Sequence, residues 1–165
     1  MSIRLITALF LSLIAAACGQ DDAGDVSPAP EPQAEAPAPA PAPAAALERR
    51  PSPPGSSAYI VSPADGATVD SPVRVLFGLR GAGVVPAGIE LEGAGHHHLL
   101  IDTGLPDLGL PIPADNNHVH FGGGQTEVEI VLAAGTHTLQ LLLGDERHVP
   151  HDPPIMSEQI TIEVR

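Results

Sequence analysis

The sequence predicts an all-β fold: a single immunoglobulin-like β-sandwich of about seven strands that follows a disordered N-terminal linker. Three observations predict it. From residue 58 to residue 165, hydrophobic and polar residues alternate with a period of two, turn residues recur about every ten positions, and no stretch shows a helical period. That length suits one domain.

The strands follow from the alternation, taken in chain order. The alternating segments are 59–61, 73–79, 95–102, 126–132, 136–143 and 160–164. In the fourth, Val128 and Ile130 share one face and Glu127 and Glu129 share the other, a pattern typical of a sheet with one buried face. Because aromatic residues are scarce, the predicted core is aliphatic.

The first residues predict export. Arg4 supplies a positive charge, residues 5–14 form an apolar run, and three alanines at 15–17 precede Cys18. This order is typical of a signal peptide, and the apolar run is shorter than the roughly 20 residues that span a bilayer. The segment resembles the lipobox of bacterial lipoproteins, with Ala15 where leucine is usual. The resemblance implies cleavage before Cys18 and lipidation of that residue. The alternative is an ordinary secretory signal with an incidental cysteine.

The segment 18–56 is predicted to be the lipidated cysteine and a Pro/Ala-rich disordered linker, and 57–165 the sandwich domain. The linker has too little bulky apolar surface to fold, and its prolines favour extended polyproline II. At ~3.1 Å per residue, it would reach roughly 100 Å when fully extended. The alternative function for this segment is a proline-rich ligand for a partner domain.

Charge and cysteine content exclude several function classes. The chain carries a formal charge of -13 and has one cysteine. Such a surface repels nucleic acid and anionic lipid headgroups, so the expected membrane contact is through lipid on Cys18 alone. By resemblance, Gly19 lacks the aspartate that retains lipoproteins at the inner membrane, which favours an outer-membrane location facing the periplasm. Lipidation leaves no thiol for a disulfide or a nucleophile.

The unusual feature of this domain is its large number of histidines. All eight histidines lie after residue 57, and imidazole is a common ligand for zinc, copper and nickel. Residues two apart on a strand share a face, so His97 is expected to point into the core with Leu99. The candidate metal ligands are His96, His98, His118, His120, His148 and His151. The candidate residues that would orient them from behind are Asp102, Asp145 and Asp152.

Topology predicts which histidines can meet. His148 and His151 lie in the long loop before the last strand, which a sandwich places at the same end as His96. His137 lies at the opposite end, about 23 Å away for seven residues at roughly 3.3 Å each. Its place at the start of a strand is typical of a structural residue that bonds to nearby backbone.

Four runs resemble a bacterial family. They are Gly95-His96-His97-His98-Leu99-Leu100-Ile101-Asp102, the run from His118 to Thr126, the run from Gly135 to Leu141, and the run from His148 to Ser157. They are similar to the family known as domain of unknown function 4399, over essentially all of residues 58–165. The resemblance implies an exported, often lipid-anchored envelope domain, and it implies no activity.

Three function classes remain. The first is a non-enzymatic binding module that holds Cu(II) or zinc through these histidines. The second is a metal-independent module for an envelope protein or polymer, in which Gly122-Gly123-Gly124 forms a close-approach turn. The third, a metal-dependent hydrolase, has the least support, because the sequence lacks a G-x-S-x-G elbow, a phosphate loop and HExxH.

Overall fold

The computed structural model describes residues 46–165. The predicted signal peptide, the lipidation site Cys18 and most of the predicted linker lie outside the described residues. Residues 46–165 contain no helix that is long and apolar enough to cross a membrane. Regular structure in this part of the chain is all β.

Within residues 46–165, nine strands make up two sheets. They are β1 (Ser57–Ser62), β2 (Thr68–Val69), β3 (Val73–Arg80), β4 (Gly83–Val84), β5 (Ala94–Ile101), β6 (His118–His120), β7 (Glu127–Ile130), β8 (Gly135–Gly144) and β9 (Ile160–Val164). The smaller sheet has the order β1-β3-β7, and the larger has the order β2-β9-β8-β5-β4 with β6 also paired to β5. This arrangement confirms the predicted β-sandwich. All six alternating segments contain strands.

The two sheets enclose an aliphatic core. Alternation along each strand sends one set of side chains between the sheets, where removing apolar surface from water stabilises the fold by roughly 25 cal/mol per Å². Phe77 and Phe121 meet edge to face, with ring centroids 4.8 Å apart. The buried core residues are Ala58, Val73, Val75, Phe77, Leu99, Ile101, Phe121, Leu139, Leu141, Ile162 and Val164.

The outer face of the larger sheet is also covered, which the sequence did not predict. Leu100 and Leu142 point away from the core and are buried against Ile112, which lies in the segment between β5 and β6. The Ile112 amide donates to the carbonyl oxygen of His148 at 2.8 Å, so this segment is bonded to the loop between β8 and β9. Side chains expected to face solvent from β5 are therefore enclosed.

Several residues of the predicted linker are hydrogen-bonded to the sandwich domain. The Leu47 amide donates to the Gly109 carbonyl at 2.7 Å, and the Ser52 amide donates to the Asp152 carbonyl at 3.0 Å. The side chain of Arg50 bonds to Glu146. Residues 46–53, assigned to the linker from their composition, are held against the loop between β8 and β9 because their arginines find carboxylate and carbonyl partners there.

Candidate metal centre

Four histidines converge at one end of the larger sheet. His96 and His98 come from β5, His120 from β6, and His148 from the loop between β8 and β9. One ring nitrogen from each residue lies within 4.8 Å of those of the other three. Three separate stretches of chain thus supply one compact group of imidazoles.

Strand register explains why these residues meet. His96 and His98 share a face of β5 because they are two residues apart. His98 is paired with His120 across β5 and β6, and His96 is paired with Gly144 at the end of β8. The loop that leaves Gly144 turns back over this face and brings His148 to the group.

Two glycines leave room for the rings. A Cβ atom at Gly144 would lie 3.0 Å from the Cε1 atom of His98. A Cβ atom at Gly122 would overlap the imidazole of His120. Neither residue has a positive φ, so it is the space beside the histidines, rather than backbone freedom, that requires glycine here.

The backbone at His148 is strained. Its φ is 67°, in the left-handed region that costs a residue with a side chain about 1 kcal/mol or more. The turn is held by the buried carboxylate of Asp145, whose Oδ1 accepts from the amides of Arg147 at 2.8 Å and Val149 at 2.9 Å. A strained backbone conformation of this kind persists only where surrounding hydrogen bonds and packing hold it in place.

The electrostatics keep the imidazoles of His96, His98 and His120 neutral. Burial, reinforced by repulsion from His148 and His120, lowers the pKa of His96 to about 4. Burial and its three histidine neighbours lower the pKa of His98 to about 2. The pKa of His120 is lowered by the same two causes, burial first. Neutral imidazole is the form that binds a metal ion.

The buried nitrogens lack partners. Within residues 46–165, neither ring nitrogen of His96 or of His98 has a hydrogen-bond partner, and both side chains are fully buried. Leaving a buried polar group unpaired costs about 1–3 kcal/mol, so such groups require an explanation. A cation at the centre of the group would bind the lone pair of one nitrogen from each ring.

The distances suit a metal ion. Zinc–imidazole bonds are about 2.0–2.1 Å, which puts ligand nitrogens roughly 3.4 Å apart in a tetrahedral site. The Nε2 atoms of His120 and His148 are already 3.2 Å apart. The ring centroids of the four residues are 4.8 to 5.8 Å apart, so small side-chain rotations would complete a four-nitrogen site.

The family model of the domain of unknown function DUF4399 matches residues 75–165, more than half of the chain. The chain belongs to the DUF4399 family. The match spans all four converging histidines. No curated protein matches the chain, and no solved structure does.

Two of the six histidines proposed as ligands lie outside the group in this DUF4399 domain. His118 shares the face of His120 but is paired with Leu100, two residues further along β5 than His98. Its Nδ1 bonds to Asp115 Oδ1 at 2.8 Å. His151 is fully buried three residues after His148, and burial lowers its pKa, but its ring is not among the four that converge.

The three aspartates proposed behind the ligands differ in position. Asp102 lies at the far end of β5, where its Oδ2 bonds to His137 Nδ1 at 2.7 Å. Asp152 is exposed and pairs with Arg49 at 3.3 Å. Asp145 alone lies behind the group: burial raises its pKa, but hydrogen bonds from Val149 and Arg147 outweigh burial and lower it.

His137 has the structural role expected from the sequence. Its Nδ1 bonds to Asp102, and its Nε2 lies 3.0 Å from the Ala133 carbonyl oxygen. The hydrogen bond to Asp102 is the main cause that raises the pKa of His137. With both nitrogens bonded to nearby groups, the ring ties the start of β8 to the end of β5.

The sequence did not predict that Gly122 and Gly144 leave room for the histidine rings or that Arg50 bonds to Glu146. A glycine run next to a histidine pair was the available signal for the first, although it was interpreted as a turn for a partner. The strand pairing that places Gly144 beside His98 is a tertiary feature. Arg50 follows a proline-rich stretch, and composition alone cannot distinguish its ordered neighbours from the linker.

Proposed function

We propose that this protein is a membrane-anchored envelope lipoprotein whose DUF4399 domain binds one Cu(II) or Zn(II) ion. The ligands are His96, His98, His120 and His148. The observation that carries the proposal is the convergence of four imidazoles, two of them fully buried with both nitrogens unpaired within the described residues. Buried unpaired nitrogens aimed at one point favour a ligand there.

The exposure of the four residues favours an exchangeable site. His96 and His98 form the buried floor, whereas His120 is exposed and His148 is partly exposed. An ion would therefore enter from the solvent side, between the two more exposed rings. This suits a module that binds and releases metal, in contrast to a closed structural site.

The donor set favours particular ions. Imidazole suits zinc and copper, and the order of affinities for nitrogen sites places Cu(II) highest among the divalent ions. Cu(I) is disfavoured because it prefers thiolates and thioethers. Met156, the one methionine among the described residues, packs against the cluster that contains Leu100 and Leu142.

The order of charged, apolar and small residues before Cys18 supports the anchor. With that cysteine lipidated at the periplasmic side of the outer membrane, the acidic domain would stand off the surface on its Pro/Ala linker. We propose no catalytic role for the domain.

Metal content is the direct test. The protein is purified without a histidine tag, its copper, zinc and nickel are measured, and it is titrated with CuSO4 and ZnCl2 by calorimetry. We expect one equivalent of Cu(II) or zinc per chain. Near-zero content with no uptake would contradict the proposal. Replacing both His120 and His148 by alanine serves as the negative control.

A second function is binding to an envelope protein or polymer without metal. The observation that favours it is a pair of exposed aliphatic residues near the site, Ile89 (51% exposed) and Leu91 (54%). Their segment is bonded there through the Ala87 amide, which donates to the Gly122 carbonyl at 2.9 Å. Changing both to serine would abolish partner capture under this alternative and leave metal uptake unaltered.

A further inference from the structure

A stretch of residues before β1, which we call the strap (46–53), runs along the loop that carries His148. The Asp152 amide donates to the Arg50 carbonyl at 2.8 Å, and the Ser52 amide donates to the Asp152 carbonyl at 3.0 Å. These two bonds flank a parallel bridge between Pro51 and Asp152. The strap therefore adds a short backbone pairing to the far side of the loop.

The arginines of this region reinforce the pairing. Arg49 donates to the carbonyl oxygens of Pro150, at 3.0 Å, and His151. Arg50 holds Glu146 with its Nε and Nη2 at 3.0 and 2.6 Å, and this bond is the main cause that lowers the pKa of Glu146. In a chain with a formal charge of -13, these pairs concentrate positive charge against the loop.

A buried carboxylate connects the strap to the metal ligands. Asp145 shapes the turn at His148 through its Oδ1, while its Oδ2 lies 3.7 Å from Arg50 Nε and 2.9 Å from Arg147 Nη2. The Arg147 side chain in turn donates to the Glu48 carbonyl at 2.9 Å. The positive charges of Arg50 and Arg147 balance the negative charge of Asp145, which lets this carboxylate remain ionised although it is buried.

We propose that the strap and the metal site are coupled, an inference that rests on the proposed metal-binding function. The docked strap fixes the turn that presents His148, and a metal ion on His148 holds the same turn for the strap. Coupling between two binding events is reciprocal: the factor by which the strap raises metal affinity is the factor by which the metal stabilises the docked strap.

Coupling would change how far the domain can extend from its membrane anchor. The strap lies between the Pro/Ala linker and the first strand of the sandwich. Its release would add eight residues to the tether, roughly 25 Å at ~3.1 Å per residue. Metal loading would then shorten the tether, and loss of metal would lengthen it.

Hydrogen exchange of the untagged full chain tests the coupling. The exchange of the Leu47 and Ser52 amides is compared without metal and with saturating CuSO4 or ZnCl2. We expect metal to slow both amides at least about 5-fold. Cleavage by trypsin between Arg49 and Arg50 should slow in parallel. Equal exchange rates in the two states would overturn the coupling.

The matched variants are Arg50→Ala and Arg74→Ala. Arg74 also pairs with a glutamate at 2.6 Å, Glu127, but lies on the smaller sheet. Loss of a group that supports a ligand from behind weakens metal binding about 10- to 100-fold, so we expect about 10-fold for Arg50→Ala and no change for Arg74→Ala. Arg50→Lys should restore part of the affinity. If Arg50→Ala does not fold, Glu146→Gln replaces it.

The outcomes separate the two proposals. A wild-type protein that takes up no metal contradicts the proposed function, and the coupling falls with it. A wild-type protein that binds one ion, together with an Arg50→Ala variant of equal affinity and unchanged Leu47 exchange, overturns the coupling alone.

Discussion

The Nε2 atoms of His120 and His148 lie 3.2 Å apart, although 28 positions separate the two residues in the chain. One residue is placed by the pairing of β6 with β5, and the other by a strained turn after β8. Two imidazoles at this distance can form one N–H···N hydrogen bond, or both can turn their lone pairs to one cation. The buried nitrogens of His96 beside them favour the cation.

Replacing His120 by alanine should abolish most of the metal binding. We expect affinity to fall by about 100-fold or more, because a direct ligand contributes at least as much as the residues that support it. His118→Ala is the matched control on the same strand, since its ring is bonded to Asp115. Calorimetric titration of both variants gives the comparison. Equal losses of affinity would place the ion elsewhere.

Gly122→Ala should weaken metal binding without unfolding the domain. The new methyl group would overlap the His120 ring and push it away from the group, while the backbone at this position is open to any residue. We expect roughly 10-fold weaker binding, comparable to losing a supporting residue. Gly123→Ala is the control, because the atoms nearest to its methyl group would belong to the Gln125 side chain and not to a histidine. Unchanged affinity for both variants would show that ring position is not limiting.

His97→Leu should stabilise the fold. His97 points into the core as predicted, against the Phe77 ring at 5.3 Å, but neither of its nitrogens has a partner within the described residues. Replacing an unpaired buried polar side chain by an apolar one removes a desolvation cost of about 1 kcal/mol or more. Urea unfolding measures the change, and metal affinity should stay constant. A less stable variant would indicate that the ring has a bonding partner in solution.

The pair of His137 and Asp102 should stabilise the fold more strongly at lower pH. The pKa of His137 is raised, chiefly by its bond to Asp102, so its contribution is complete below about pH 6.5 and is lost as pH rises through the raised value. His137→Gln should cost about 1 kcal/mol near pH 6, because the pair is partly exposed. The cost should shrink near pH 9. A difference that grows with pH would contradict this account.

Much of the fold was predictable from alternation alone. The six alternating segments contain strands because a buried face requires a period of two, and this signal is local. The two-residue strands Thr68–Val69 and Gly83–Val84 were missed because they are too short to alternate. Burial of the outer face of β5 was missed as well. It depends on the segment around Ile112 folding over the sheet, which no local pattern encodes.

For the site, the sequence predicted which face of its strand each histidine lies on, but not which of the six candidates meet. Parity placed His96 and His98 together and His97 opposite, as the structure has them. It placed His118 and His120 on one face but could not give the register, and register decides that only His120 is opposite His98. The choice of His148 over His151 depends on a positive φ and on the bonds of Asp145, which are tertiary features.

Anomalous diffraction from crystals of the zinc- or copper-loaded protein tests the central claim most directly. The account predicts one anomalous peak per chain, bonded at about 2.0–2.1 Å to one nitrogen each of His96, His98, His120 and His148. No peak under saturating metal, or a peak held by other residues such as His118 and Asp115, would contradict it.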